Sequence, residues 1–345
     1  MDKPFVNAMA PPEQLPVSII TGFLGSGKTT LLNHLVQHPQ MQDAVVLVNE
    51  FGEIGLDHLL IEAITEKIVL LQSGCICCQL NGEFASTLTD LYEKRLAGEI
   101  GEFSQVLVET TGIADPAPII QSLLSNPQLA AHYRPGTVVA TVDTVLGESQ
   151  LDEFPETARQ VSLADKLLLT KIDLSEPLQR QSLKTLVQRL NPGATITEIT
   201  NGIIQPDEVF TKASPLAGRQ PGELAAEPGF EHSNSISSFS ITLDGAIEWT
   251  DFVAWFDDLL FSRSRQILRV KGLLRVAGKR GPVVIQSVQH MVYAPIELQQ
   301  WPDEKCESTL VFITCDLNRT AIENSLQQHF SSALTGTLLA VEACA

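Results

Sequence analysis

Residues Gly22 to Thr29 have the G-x-x-x-x-G-K-T spacing of a phosphate-binding loop. Glycines let a backbone wrap around a phosphate chain with its N–H groups turned inward, and the helix that follows presents its positive end to the same anion. A lysine and a threonine at the last two positions supply a cation for the β/γ phosphates and a hydroxyl ligand for Mg²⁺. We therefore expect the following residues to bind a nucleoside triphosphate with Mg²⁺: Gly22, Gly25, Ser26, Gly27, Lys28, Thr29 and Thr30.

A second nucleotide signature follows the apolar run Val106-Leu107-Val108. Glu109 ends this predicted strand, where a carboxylate can join the Mg²⁺ shell, and Gly112 has no side chain to hinder its N–H from approaching the γ-phosphate. A strand that simply ends in a turn would show the same letters. We expect Lys28, Thr29, Glu109 and Gly112 to form the catalytic set.

The tetrad Thr170-Lys171-Ile172-Asp173 follows another apolar strand and predicts which base is bound. A carboxylate at Asp173 accepts from both N1–H and the exocyclic amine of guanine, and the lysine stem lies along the base plane. Adenine lacks this pair of donors, so the carboxylate would stay unpaired against ATP. The tetrad therefore favours GTP over ATP, with Thr170, Lys171 and Asp173 contacting the base.

Three cysteines fall within four residues, at Cys75, Cys77 and Cys78. Thiolates at this spacing can meet one soft ion, for which Zn²⁺ is the default and Co²⁺, Ni²⁺ or Fe²⁺ are alternatives. Glu50 and Glu53, in an acidic segment after the second predicted strand, are candidates for a fourth ligand. A redox pair or simple packing would also use cysteines. We expect the trio in a loop ahead of a helix that starts near Asn81.

The elements that must position these residues alternate strand and helix over about the first 200 residues. Continuous apolar strands are typical of a parallel sheet buried on both faces, where ligands bind at the carboxyl ends of the strands. The sequence predicts strands at Val17–Thr21, Ala44–Val48, Ile68–Leu71, Val106–Glu109, Thr137–Val142, Lys166–Thr170 and Thr195–Ile199, with helices over Gly82–Glu93 and Leu178–Leu190 among those between them.

The pattern changes after residue 210, where prolines and glycines punctuate a polar stretch. We predict a flexible tail at 1–16, a P-loop GTPase domain at 17–210, a linker at 211–235 and a small antiparallel α+β domain at 236–345. The C-terminal elements are predicted at Ile236–Leu243, Thr250–Phe261, Ile267–Val276, Val283–Tyr293 and Thr309–Cys315, with a last helix from Thr320.

The formal net charge of the 345 residues is −18, which argues against general binding to nucleic acids or anionic membranes. No apolar run reaches transmembrane length, and we expect a cytoplasmic protein. One segment is basic although the chain as a whole is acidic: Arg263 to Arg280 contains seven basic residues and no acid. Arg269, Lys271 and Arg275 alternate onto one strand face. That face is either a solvated surface or one that docks an acidic client or closes over the phosphates.

Together these motifs resemble those of the CobW-like family of P-loop GTPases, whose relatives include nickel-inserting proteins. The resemblance covers nearly the whole chain and implies a low-rate GTPase that carries or inserts a metal, with the cysteines as ligands. Many members have a histidine-rich linker that stores metal, whereas this linker holds only His232, so a single site is expected. The matching pieces are Gly22–Thr29, residues 49–53, Cys75–Cys78, Glu109–Gly112 and Thr170–Asp173, with Arg269–Gly272 in the second domain.

The sequence thus predicts a GTP-hydrolysing metallochaperone in which GTP–Mg²⁺ orders the segment at 49–57 and hydrolysis releases the metal to a client metalloprotein. The alternatives are a regulatory GTPase without metal delivery, a GTPase that assists maturation of cobalt (cobalamin), iron or nickel enzymes, and a small-molecule kinase. The oligomeric state stays open, a homo-oligomer included.

Overall fold

The computed structural model describes residues 14–48, 68–70, 76–210, 236–243, 245–302 and 306–333, with the backbone alone for 68–70, 76–83 and 331–333. The predicted linker, most of the predicted tail and the segment at 49–67 lie outside these residues. The domain boundaries therefore stay a prediction. None of the helices in the described part is long and apolar enough to cross a membrane.

A seven-stranded parallel sheet forms the first domain, in the order β3-β2-β4-β1-β5-β6-β7. Strand β1 lies at its centre, and the chain builds the sheet outward on both sides of it, as in a doubly wound fold. The predicted fold class is confirmed. The strands are β1 (Leu15–Gly22), β2 (Ala44–Val48), β3 (Ile68–Leu70), β4 (Gln105–Glu109), β5 (Tyr133–Asp143), β6 (Lys166–Thr170) and β7 (Thr195–Glu198).

Helices cover both faces of this sheet and bury its apolar strands in separate clusters. Four of them begin with a proline, which suits a first helical position because its missing N–H would have no partner there. The helices are α1 (Lys28–Gln37), α2 (Ile76–Ala97), α3 (Ala117–Ser125), α4 (Pro127–His132), α5 (Gly147–Glu153), α6 (Pro155–Leu163), α7 (Pro177–Leu190) and α8 (Pro206–Phe210).

The second domain is an antiparallel sheet in the order β11-β10-β9-β13-β8, with β12 paired to β10. One face of the sheet packs on two helices through an aromatic cluster that includes Trp255 and Phe312. Its elements are β8 (Ile236–Leu243), α9 (Trp249–Arg263), β9 (Ile267–Leu274), β10 (Val283–Val288), β11 (Met291–Val292), β12 (Ile296–Glu297), β13 (Ser308–Cys315) and α10 (Arg319–Ala333).

Two predicted elements were wrong in extent. The run Val283–Tyr293 is not one strand but a hairpin, because the chain reverses at Gln289, which has a φ of 51°. Apolar letters on both arms hid the turn. The helix predicted over Gly82–Glu93 begins six residues earlier, at Ile76, so Cys77 and Cys78 stand in its first turn rather than in a loop before it.

The two domains share buried apolar surface. Ile313 of β13 lies in one cluster with Val161 of α6 and Leu183 of α7, and Val288 of β10 joins the cluster that contains Ile120 of α3. The interface therefore resembles a domain core more than a loose contact, and it fixes the C-terminal sheet against three helices of the first domain.

For Arg269 and Lys271, all the interpretations of the basic strand face are wrong, whereas Arg275 is exposed. Arg269 and Lys271 are only 3% and 5% exposed, and they point into the domain interface. Both bind the carboxylate of Asp165, with Lys271 Nζ 2.9 Å from Asp165 Oδ1, and Arg269 also donates to the carbonyl of Leu163. Asp165 precedes β6, so the cluster lies at the opposite end of that strand from Thr170, about 16 Å away at the usual rise per residue. These cations cannot close over the phosphates.

Electrostatics within the cluster follow from burial and charge count. Burial alone would raise the pKa of Asp165, but the Arg269 and Lys271 charges outweigh it and hold that pKa at about 2. Burial and the neighbouring Arg269 lower the pKa of Lys271 to about 8, although Asp165 opposes the shift. One anion thus compensates two buried cations.

We predict that Asp165→Asn lowers the free energy of unfolding by about 3 to 5 kcal/mol at pH 7, because two buried cations lose their counter-charge. The matched variant Lys271→Met leaves one cation against one anion and should cost less than about 1 kcal/mol. Urea unfolding of the three proteins measures both values. Equal losses in the two variants would contradict the charge-balance argument.

The difference in free energy of unfolding between wild type and Asp165→Asn should depend on pH. The ordinary pKa of Asp165 is 3.8 and its folded value is about 2, so its stabilising contribution is complete above the ordinary value and is lost as the pH falls through the folded one. The gap between wild type and Asp165→Asn should therefore narrow between about pH 4 and pH 2.

Candidate nucleotide-binding site

The phosphate-binding loop connects β1 to α1 at the carboxyl edge of the parallel sheet. Gly22 has a φ of 139°, and a Cβ there would meet Thr141 Oγ1 at 2.3 Å, so only glycine fits between β1 and β5. Ser26 Oγ bonds Thr141 Oγ1 at 2.6 Å. Gly27, with a φ of 97°, precedes the first residue of α1, which has no side-chain cap. No side chain of Gly27 therefore competes with an anion for the N–H groups of that first turn.

Lys28 is held inside the loop. Its Nζ donates to the carbonyls of Gly22 at 2.9 Å and Phe23 at 3.1 Å, and the side chain is buried. These contacts fix the ammonium where the loop curls, which is where the motif requires a cation for the phosphates. Thr30, the last residue predicted to bind, is exposed at the start of the helix.

The oxygens of Thr29 and Glu109 fit a Mg²⁺ ion. Thr29 Oγ1 donates to Glu109 Oε1 at 2.9 Å, and Glu109 is the last residue of β4, beside β1. Mg²⁺ prefers oxygen ligands at about 2.1 Å in an octahedron, which places adjacent ligands about 3 Å apart. A hydroxyl and a carboxylate at this spacing are the donor set that such an ion takes.

Gly112 packs directly on the phosphate-binding loop. A Cβ at this position would lie 2.6 Å from Leu24 N and 2.7 Å from Leu24 Cα, so any side chain would push the two loops apart. Behind it, the buried amide of Gln160 on α6 donates to the carbonyls of Gly112 at 3.1 Å and Ala114 at 3.0 Å. Strand β4, the loop at 110–115 and the phosphate-binding loop are therefore in contact.

The predicted guanine tetrad lies at the same edge, one strand beyond β5. Thr170 Oγ1 donates to the carbonyl of Ser26 at 2.8 Å and ties the tetrad to the phosphate-binding loop. Lys171 has a φ of 57° and its Nζ is 2.7 Å from Asp143 Oδ2. Asp173 is exposed in a single 3₁₀ turn over Ile172–Leu174, so its carboxylate is free to receive a base from solvent.

Sequence reasoning missed three polar residues that build this site, namely Thr141, Asp143 and Gln160. Asp143 is 1% exposed at the end of β5, where it orients Lys171 and accepts from the N–H of Val145 at 2.8 Å. The signal was an apolar strand ending in an acid, the same pattern that identified Glu109. For Gln160 no signal exists in the sequence, because only the packing of α6 brings it to the loop.

The predicted metal ligands are described only in part. Glu50, Glu53 and Cys75 lie outside the described residues, and for Cys77 and Cys78 the backbone alone is placed, at the start of α2. Helix α2 follows β3, which pairs with β2. Strand β2 in turn pairs with β4, with Val48 opposite Glu109. The backbone of the two cysteines thus follows a strand that ends at the nucleotide edge.

A central P-loop, an adjacent hydroxyl–carboxylate pair and a tetrad predicted to bind guanine, all on a doubly wound sheet, are typical of a P-loop GTPase, and comparison with known proteins agrees. Residues 16–198 match the family described as CobW/HypB/UreG, nucleotide-binding domain, and residues 236–329 match the family described as Cobalamin synthesis protein cobW C-terminal domain. The chain belongs to the CobW-type P-loop GTPases. The predicted family and GTPase activity are confirmed.

Relatives resemble the chain over most of its length. It is 34% identical over 307 residues to the zinc chaperone YjiA of Escherichia coli, covering 88% of this chain and 95% of that protein. It is 27% identical to the zinc chaperone CobW of a Sinorhizobium species, covering 93% and 98%. The crystal structure of Zn(II)-bound YjiA GTPase from E. coli superposes with a TM-score of 0.70 at 28% identity, covering 92% of this chain and 99% of that one.

We predict that Gly112→Ala lowers kcat for GTP by about tenfold or more, since the new methyl would displace the loop from Leu24 and misplace its backbone N–H. GDP affinity should stay unchanged because GDP has no γ-phosphate. The control is Gly193→Ala, where a Cβ makes only an ordinary contact of 3.5 Å with Lys271 Cδ. Steady-state kinetics and GDP titration separate the two effects. Wild-type turnover in Gly112→Ala would contradict the assignment.

We also predict that Asp173→Ala removes guanine selectivity. GTP affinity should fall at least about tenfold, because two charge-assisted hydrogen bonds are lost, while ATP affinity changes little. Glu176→Ala is the matched control, since it removes the same charge from an exposed position three residues away. Competition of GTP and ATP against a fluorescent nucleotide gives the ratio. An unchanged ratio in Asp173→Ala would assign base recognition to other residues.

Proposed function

We propose that this protein is a metallochaperone that couples GTP binding and hydrolysis to the transfer of a transition metal, Zn²⁺ in the first place, to a client metalloprotein. The observation that carries the proposal is the register of three neighbouring strands. Val48 pairs with Glu109 on one side and with Leu70 on the other, so β2, β3 and β4 end in line. The proposed thiol site follows β3, and the proposed switch segment follows β2.

Distances between strands make this arrangement tight. Adjacent strands lie about 4.8 Å apart, so the end of β3 is about 10 Å from Glu109, whose side chain contacts Thr29. Five residues separate Leu70 from Ile76, the first residue of α2. A metal bound by Cys75, Cys77 and Cys78 and a nucleotide at Lys28 would therefore be close enough for one connecting segment to touch both.

The metal is the cargo of this reaction rather than a resident cofactor. Three thiolates are soft ligands that suit Zn²⁺, with Co²⁺, Ni²⁺ and Fe²⁺ as competitors, and Glu50 or Glu53 would complete a four-coordinate site. A carboxylate is the weakest member of such a set. We therefore propose that this carboxylate is the ligand that binds or leaves the metal as the nucleotide changes. It comes from the segment 49–57, directly after β2.

In the hydrolytic half of the cycle, the chain's own residues position the triphosphate. Lys28 places a positive charge beside the β/γ phosphates, and Gly112 offers its backbone N–H where the γ-phosphate sits. Thr29 and Glu109 would hold Mg²⁺, which would supply positive charge that neutralises the phosphates. We propose that no arginine of the chain acts as an arginine finger, so that turnover is slow.

The relatives support metal delivery at the level of class. Two are named zinc chaperones, and another, 28% identical over 250 residues in Dictyostelium discoideum, is named zinc-regulated GTPase metalloprotein activator 1. A metalloprotein client for this chain is a proposal drawn from those names. A role in cofactor assembly would use the same site with Co²⁺, Fe²⁺ or Ni²⁺ in place of Zn²⁺.

The proposal predicts reciprocal coupling between the two ligands. Zn²⁺ affinity, measured by competition with a chromophoric chelator, should differ at least about fivefold between the protein with a non-hydrolysable GTP analogue and with GDP. Zn²⁺ must then change the affinity for the analogue, relative to GDP, by the same factor. Repeating the competition with Co²⁺, Ni²⁺ and Fe²⁺ ranks the metals.

Two cysteine variants provide the control. Cys77→Ala should lose stoichiometric metal and the coupling together, whereas Cys315→Ala, in the C-terminal sheet, removes a thiol without affecting either. Normal metal content in Cys77→Ala would favour a regulatory GTPase with an idle cysteine cluster. Equal metal affinity with GTP analogue and GDP would end the coupling claim.

A further inference from the structure

Helix α6 carries a buried polar side chain, Gln160, that belongs to none of the nucleotide-binding motifs described above. Gln160 is 1% exposed, and its Nε2 donates to two carbonyls of one loop, Gly112 at 3.1 Å and Ala114 at 3.0 Å. A single amide thus donates both of its hydrogen bonds to the backbone that the γ-phosphate would contact. A buried amide with both protons committed to one loop is a constraint on that loop.

We propose that Gln160 is a positioning residue for GTP hydrolysis. Each carbonyl shares a rigid plane with the next N–H, so holding the carbonyls of Gly112 and Ala114 fixes the turn between them. On its other side the loop abuts Leu24 of the phosphate-binding loop, where no Cβ fits at Gly112. Gln160 therefore holds the loop against the phosphate-binding loop. The carbonyl of Thr111 shares its peptide plane with the N–H of Gly112 and accepts from the N–H of Ala114 at 3.1 Å, so the held turn also sets where the N–H of Gly112 points.

The helix does not need Gln160 for its own placement. At its start the ring of Phe154 packs on Phe23, with centroids 4.5 Å apart. At its end Asn191 Nδ2 donates to the carbonyls of Val161 at 2.7 Å and Ala164 at 2.8 Å. With both ends anchored, the hydrogen bonds of Gln160 act on the loop and not on the helix.

A second tie joins the same helix and loop at the surface. Arg159 Nη1 lies 3.3 Å from Asp115 Oδ2, but the arginine side chain is 48% exposed, and an ion pair of this kind contributes little in water. The buried amide is therefore the stronger of the two restraints.

The test uses Gln160→Met, which keeps the length of the side chain without its donors, and Gln160→Asn, which is one methylene too short to reach both carbonyls. Both should lower kcat for GTP about fivefold. Affinity for a GTP analogue should fall relative to GDP, because only GTP has the γ-phosphate. A purely structural residue would lower the melting temperature and leave that ratio alone.

Asn191→Leu is the matched control, since it removes a buried amide that follows α7 and binds the far end of α6. It should lower the melting temperature while kcat and the GTP-to-GDP affinity ratio stay at wild-type values. The proposal rests on GTP hydrolysis alone, so it stands or falls independently of metal transfer. Wild-type kcat and affinity ratio in folded Gln160→Met would overturn it, and so would failure of both Gln160 variants to fold, which would assign the residue to the fold.

Discussion

The site depends on the close parallel pairing of β1 with the strands on both of its sides. Gly22 lies opposite Thr141 of β5, and Ile20 lies opposite Glu109 of β4. Because parallel strands end at one edge, the phosphate-binding loop emerges between a carboxylate on one side and a hydroxyl on the other. A side chain at Gly22 would separate β1 from β5 and with it the contact between Ser26 and Thr141. The position of the phosphate-binding loop beside β5 therefore requires this missing Cβ.

A second constraint operates at the other end of the sheet. Burying Arg269 and Lys271 is costly unless a counter-charge is near, and Asp165 provides it from the first domain. Apolar packing alone would tolerate small sliding of one domain over the other. The carboxylate, which must meet both cations at once, allows only one alignment. We infer that the ion cluster contributes specificity of docking more than net stability.

The sequence predicted those features that are encoded locally. Strand ends, the phosphate-binding loop and the tetrad at Thr170–Asp173 follow from apolar runs that stop at a polar or glycine residue. It also placed Arg269 and Lys271 correctly on one face. What covers that face depends on a partner about 100 residues earlier, Asp165, which no local pattern reveals. Gln160 was invisible for the same reason, and the hairpin at Gln289 because apolar residues on both arms read as one strand.

Helix α6 joins these two ends of the molecule. Phe154, which precedes the helix, packs on Phe23 of the phosphate-binding loop. Gln160, in the helix, binds the loop at 110–115, and the carbonyl of Leu163, its last residue, accepts from Arg269. An α-helix of this length is stiff, about 13 Å from end to end. The C-terminal domain therefore packs on the helix that supports the loop at 110–115. Arg269 thus binds the end of the helix whose middle carries Gln160, so the domain interface and the loop at 110–115 meet on one stiff element.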